Sequence, residues 1–204
     1  MVDKRIIEQV LTEQYEELVA LHDVALCSRK EEEQVDLDSN MAQVIIGVRR
    51  SGKSTLCFNV LKSLNEKFAY VNFDDERFSE LQTSDLNTVL EALYKIYGDF
   101  NHLFLDEIQN IDGWHLFVNR LLRQRMHIIV TGSNAKLLSG ELATHLTGRN
   151  DHKELFPFSF AEWCQCKKVD TSSPTTKAEA LRRAAFDDYL KQGGFPELIH
   201  KKNK

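Results

Sequence analysis

The chain has 204 residues, 42% of them apolar and 28% charged, which suits one sizeable soluble domain or one domain with an appendage. A formal net charge of −5 argues against a protein coated in nucleic acid and leaves room only for a local basic patch. No apolar run is long enough to cross a bilayer and Met1-Val2-Asp3-Lys4-Arg5 lacks a signal-peptide core, so the cytoplasm is the expected compartment, with no membrane partner.

In chain order, Ile6, Ile7, Val10, Leu11, Tyr15, Leu18 and Val19 recur at helical spacing and predict an amphipathic helix over residues 5–21. Arg29 to Asn40 is rich in Glu and Asp and reads as a solvated linker. From Ala42 the pattern alternates. Strands are expected at Val44–Ile46, Phe68–Phe73, His102–Leu105, His127–Val130 and Lys153–Phe156. Helices are expected at Ser54–Leu64, Leu86–Tyr97, Leu116–Gln124 and Lys136–Leu146. Strands alternating with crossover helices predict a five-stranded parallel sheet covered on both faces, with ligands bound beyond the carboxyl ends of the strands. Ser159 is the expected N-cap of a further helix, and Lys177 to Gln192 reads as another, closed by Gly193-Gly194. The organisation expected is an N-terminal helix and acidic linker over 1–41, an α/β core over 42–160 and a short helical extension over 161–204. Four cysteines without framework spacing suit a reducing compartment, and the pair Cys164 and Cys166 reads as free thiols near a helix.

Gly47-Val48-Arg49-Arg50-Ser51-Gly52-Lys53-Ser54-Thr55 fits the P-loop pattern G-x-x-x-x-G-K-[ST] and lies between a predicted strand and a predicted helix. In such a loop the backbone N–H groups and the helix N-terminus face phosphate oxygens. Gly47, Arg49, Arg50, Ser51, Gly52, Lys53, Ser54 and Thr55 are therefore the candidate nucleotide-binding residues. Lys53 would reach the β- and γ-phosphates and the Ser54 hydroxyl would ligate Mg²⁺. One of Arg49 and Arg50 can face phosphate and the other can pair with Asp74 or Asp75. The third strand ends in Leu105-Asp106-Glu107, the Walker B arrangement: Asp106 is the candidate metal ligand and Glu107 the candidate group that polarises water. Trp114 reads as a packed anchor at a helix start, and Arg120, Arg123 and Arg125 as a solvated face. The histidines show neither metal-ligand spacing nor a nucleophile partner.

With Glu107 after Asp106 and the fourth strand running into Thr131-Gly132-Ser133-Asn134, the chain resembles the AAA+ superfamily of P-loop ATPases. More narrowly it resembles the prokaryotic ATP-binding proteins of AAA domain family 14. The likeness is carried by Gly47-Val48-Arg49-Arg50, Asn72-Phe73-Asp74-Asp75, Leu105-Asp106-Glu107-Ile108-Gln109, Gly113-Trp114, Leu146-Thr147-Gly148-Arg149, Pro157-Phe158-Ser159-Phe160 and Gly193-Gly194-Phe195-Pro196-Glu197. The resemblance implies ATP and Mg²⁺ as ligands, a sensor role for Asn134 beside the γ-phosphate, and an arginine finger at Arg149 completing a neighbouring subunit's site. A helix cap is the plain alternative for Ser133 or Asn134, and a surface ion pair for Arg149. It also implies the ATPase portion of a longer architecture, a homo-oligomer, and hydrolysis that drives a partner or an attached domain. A slow nucleotide-gated binding module is the second expectation. A DNA-associated motor, which the charge does not support, is the third.

Overall fold

The computed structural model describes residues 2–21, 26–64, 66–133, 146 and 148–199. Strands β1 (Ala42–Gly47), β2 (Phe68–Asn72), β3 (His102–Asp106), β4 (His127–Ser133) and β5 (Asn150–Leu155) form one sheet in the order β2-β3-β4-β1-β5. Every adjacent pair is parallel. The helices are α1 (Lys4–Leu21), α2 (Lys53–Lys62), α3 (Leu86–Tyr97), α4 (Trp114–Arg123), α5 (Phe160–Cys166), α6 (Thr176–Gln192) and α7 (Pro196–Ile199).

Side chains alternate between the two faces of a strand, so continuous apolar runs mean that both faces are covered. Val44, Ile46, Val71, Leu103, Leu105, Ile128 and Val130 share one cluster with Ile7, Val10 and Leu11 of α1, Leu93 of α3 and Trp114 and Leu121 of α4. Ile45, Tyr70, Phe104, Ile129 and Leu155 face the other way, onto Leu56, Cys57, Phe58 and Leu61 of α2. Trp114 is fully buried at the start of α4, the anchor its place beside Gly113 predicts. Ser159 caps α5 through a reciprocal box with Glu162, and Gly193 closes α6. The expected helix over Lys136–Leu146 falls almost wholly outside the described residues.

Two expectations are corrected. The stretch from Arg29 to Asn40 is not a solvated linker: Lys30–Gln34 forms a 3₁₀ turn, and Val35 and Leu37 pack on the α2 face of the sheet. Asn59 of α2 holds the segment by donating to the Cys27 carbonyl at 3.3 Å and to Glu32 at 2.9 Å. The cysteines are not all free, because that packing brings Cys27 to Cys166 of α5 with Cα atoms 5.6 Å apart and the two form a disulfide. Their 139-residue separation gives no spacing signal. Cys57 and Cys164 are buried thiols. Among the described residues no helix is long and apolar enough to cross a membrane.

Candidate nucleotide and metal site

The site is built where β1 ends. Gly52 holds φ 94°, a left-handed conformation that costs residues with a Cβ about 1–2 kcal/mol, and it turns the chain into α2. Lys53 begins the helix and is buried. Its ammonium donates to the carbonyls of Gly47 at 3.2 Å and Val48 at 3.3 Å, and lies 3.5 Å from Glu107 Oε1. A buried ammonium is stable only with such partners, and all three are the kind that an incoming polyanion can replace.

The second half comes from β3 and β4. The register pairs Leu105 with Val130, which puts Thr131 beside Asp106. The Thr131 hydroxyl donates to Asp106 Oδ1 and accepts from the Glu107 N–H at 3.0 Å, so one side chain fixes both acids. Tyr70 from β2 donates to Asp106 Oδ2 at 3.3 Å. Burial pushes the Asp106 carboxyl up, and the Glu107 charge adds to this, against the opposing hydrogen bonds of Thr131, Ser54 and Tyr70. Ser54 follows Lys53 in the first turn of α2, and its side chain favours the charged form of Asp106. A hydroxyl and a carboxylate together are hard oxygen donors that fit Mg²⁺, which keeps its remaining positions for water and phosphate. Among the described residues no three His, Cys, Asp or Glu side chains converge on a metal site, and a cation held in this way needs none.

Glu107 has φ 52°, a conformation uncommon for a non-glycine residue and enriched at functional positions. Gln109 donates to its Oε2 at 2.5 Å. Glu107 lines a cavity of about 370 Å³ together with Arg50, Gly52, Lys53, Ser54 and Thr55. The walls are completed by Leu26, Cys27, Arg29, Leu56, Phe158, Pro196 and Glu197.

The two loop arginines divide as the acids around them dictate. Arg49 pairs with Asp74 at 2.9 Å and Arg50 with Glu197 at 3.0 Å. Ser51 is buried, and its carbonyl accepts from Arg29 at 3.1 Å. Arg149 is not brought to this site within the chain. It is exposed, donates to Asn119 Oδ1 at 3.3 Å, and directly precedes β5, whose first residue pairs with Ala42 at the far end of β1 from Gly47. Five strand steps separate the two levels, about 16 Å. Asn134 lies outside the described residues; Ser133, beside it, ends β4 and lines a smaller cavity with Arg49, Asp74 and Glu107.

Sequence reasoning missed Thr131, Gln109 and Arg29 as parts of this site. Thr131 was within reach, since aligning the apolar runs of β3 and β4 sets it opposite the strand-end acids. Arg29 carried no signal, because its partners Glu162, Ser51 and Phe156 are scattered along the chain.

The AAA domain family matches residues 39–164. An uncharacterized protein of Methanocaldococcus jannaschii is 40% identical over 169 residues, covering 81% of this chain and 38% of the relative. An uncharacterized protein of Haemophilus influenzae is 35% identical over 170 residues, covering 79% of this chain and 41% of the relative. The chain thus spans about two fifths of the length of these relatives. Among solved structures, a Walker-type ATPase of Pyrococcus abyssi superposes with TM-score 0.49 at 17% identity, over 88% of this chain and 69% of that one. C. elegans PCH-2 gives 0.42 at 17% identity, over 86% and 57%. With the match over residues 39–164 embracing the P-loop and the paired acids of β3, the chain belongs to the AAA domain family of P-loop ATPases.

Proposed function

We propose that the chain binds ATP and hydrolyses it with Mg²⁺, and that the turnover drives a conformational change in an attached domain or a partner. The observation that carries the reading is the convergence of Lys53 and Ser54, at the start of α2, with Glu107, just after β3, on one cavity, with Asp106 buried beside Glu107 at the end of β3. In this reading the Lys53 ammonium exchanges the Gly47 and Val48 carbonyls for β- and γ-phosphate oxygens. Losing its Lys53 contact frees Glu107 Oε1 to accept a proton from water, while Gln109 keeps hold of Oε2. Thr131 holds both acids in register. Ser54 and Asp106 would hold Mg²⁺, which when bound neutralises charge on the phosphates. ATP rather than another nucleotide rests on the family.

A slower, nucleotide-gated module is supported by one feature: the Glu107 carboxylate is engaged at both oxygens, by Lys53 and by Gln109. A base held in this way would act only once a triphosphate has drawn Lys53 away. Arg149, as an exposed residue outside its own chain's site, suits action on a neighbouring copy and hence a homo-oligomer.

The test is phosphate release from ATP by the parent and by Lys53→Ala, with Mg²⁺ and with excess chelator. Turnover that needs both Mg²⁺ and Lys53 is expected; release that survives loss of either contradicts the assignment. A first turnover much faster than steady state would favour the gated reading.

A further inference from the structure

The four cysteines divide by exposure. Cys57 and Cys164 are buried thiols, and burial pushes both above the ordinary thiol range, so neither is poised to attack a disulfide. Cys27 and Cys166 are half-buried and joined to each other. The bridge is therefore within reach of an outside thiol, and the chain's own remaining thiols do not compete for it.

The bridge also stands at the nucleotide cavity. Cys27 lines the same cavity as Lys53, Ser54 and Glu107. Its sulfur is tied to Cys166, the last residue of α5. Its carbonyl accepts from Asn59 of α2 at 3.3 Å, and α2 is the helix that Lys53 begins. Two residues on, Arg29 reaches the Ser51 carbonyl in the P-loop and Glu162 in α5. The bridge is thus the covalent member of a clamp that joins α5, the N-terminal segment and the loop. Its other members are hydrogen bonds and an ion pair, each of which can break separately. With the bridge open, a ligand entering the cavity has to order this wall as it binds, and that ordering costs affinity.

We propose that Cys27–Cys166 is a redox site on the nucleotide cavity, oxidised in the tight-binding form and opened by a dithiol to a form that binds nucleotide more weakly. One thiolate of the dithiol attacks Cys166 Sγ, the bond to Cys27 Sγ breaks, and Cys27 leaves as a thiolate that takes up a proton. The second thiol of the reductant then attacks the mixed disulfide and releases Cys166 as a thiol. Two electrons and two protons pass to the cysteines, and the reductant departs as its cyclic disulfide. The oxidised dithiol runs the same steps in reverse. The proposal rests on the reading of the cavity as a nucleotide site and adds regulation of that site by thiol–disulfide exchange. Coupling of this kind is reciprocal, so bound nucleotide protects the bridge by the same factor.

The test is calorimetric titration of the parent with Mg²⁺-ATP, first oxidised and then in excess dithiothreitol, with Cys27→Ser and Cys166→Ser under both conditions. Alkylation and mass measurement count the free thiols in each sample. The reduced parent is expected to show two more alkylated thiols and to bind ATP about tenfold more weakly, the scale of ordering one or two side chains. Both serine variants are expected to match the reduced parent and to ignore dithiothreitol. In a dithiol redox buffer, saturating Mg²⁺-ATP should lower the midpoint potential of the pair by about 30 mV for a tenfold coupling. ATP affinity within about twofold in the two states of the parent overturns the proposal, as does a serine variant that still responds to dithiothreitol. Circular dichroism of the reduced parent should match that of the oxidised one; loss of the fold on reduction would make the bridge structural and also overturns it. A parent that binds ATP equally in both states refutes the redox coupling alone. A parent that binds ATP in neither state refutes the nucleotide site and the proposal together.

Discussion

Arg29 is the residue whose loss is expected to cost most for the least sequence signal. Its side chain is 4% exposed and its Nε donates to Glu162 Oε1 at 3.0 Å. Its Nη1 donates to the carbonyls of Ser51 at 3.1 Å and Phe156 at 3.0 Å, and the guanidinium lies 4.6 Å from the Phe158 ring centroid. One side chain thus ties the N-terminal segment to the P-loop, the end of β5 and α5. Arg29→Ala strands Glu162, whose side chain is only 10% exposed. Burial works to raise the Glu162 carboxyl, but Ser159 and Arg29 outweigh it and hold it below the ordinary range, so the site is built for the charged form. Removing one member of a buried pair costs about 3–5 kcal/mol. Glu162 keeps two hydrogen bonds from Ser159, at 2.8 and 2.7 Å, which favours the lower part of that range. For a domain of this size about 3 kcal/mol lowers Tm by about 6–12 °C. The assay is urea unfolding of the parent, Arg29→Ala, Glu162→Gln and the double variant. The double variant should be less destabilised than the sum of the two singles, because removing both charges strands neither. A loss below about 1 kcal/mol for Arg29→Ala, or strict additivity, would refute the reasoning.

Two further outcomes are expected. His102 is buried at the start of β3 and stacks on His127 at 4.8 Å, with Glu66 at 3.6 Å. Burial first, and then His127, hold its pKa below the ordinary value, against smaller opposing effects from Glu66, the Leu37 backbone and Asp38. Below the unfolded value of about 6.5 the unfolded chain therefore takes up a proton that the folded chain refuses, so stability declines as pH falls from there toward the depressed folded pKa. Tm measured between pH 7 and pH 5 should fall more steeply for the parent than for His102→Gln, and parallel curves would contradict this. Arg149, if it serves a neighbouring copy, makes specific activity rise with protein concentration. Mixing inactive Arg149→Ala with inactive Glu107→Gln should then restore part of the rate, whereas no rescue in an assembled, longer chain would make Arg149 a surface residue.

Much of the fold was legible in the sequence because a parallel sheet buried on both faces leaves an unbroken apolar run at each strand. The expected central strands match β1 to β4 to within a few residues. β5 was harder: Asn150–Leu155 is mostly polar and forms the sheet edge, so periodicity caught only its last residues. The loop and the paired acids could be read because their chemistry demands particular residues at fixed offsets from a strand. What could not be read was long-range. Arg29 meets Glu162 across 133 positions and Arg50 meets Glu197 across 147. Neither pair leaves a periodic trace, and the acidic stretch 30–34 looks like solvated surface unless its tie to Asn59 is known. The Cys27–Cys166 disulfide is hidden for the same reason.

The central claim is that Glu107, set in its strained turn beside Lys53 and Asp106, activates water for attack on a bound triphosphate. It is tested most directly by single-turnover hydrolysis of ATP with Glu107→Gln and the parent, both saturated with Mg²⁺-ATP, alongside calorimetric titration of each. The amide keeps the shape of the carboxylate but cannot accept the proton, so the account expects nucleotide affinity to hold while the chemical step slows by about 10²–10⁴. Hydrolysis by Glu107→Gln at the parental rate would contradict it.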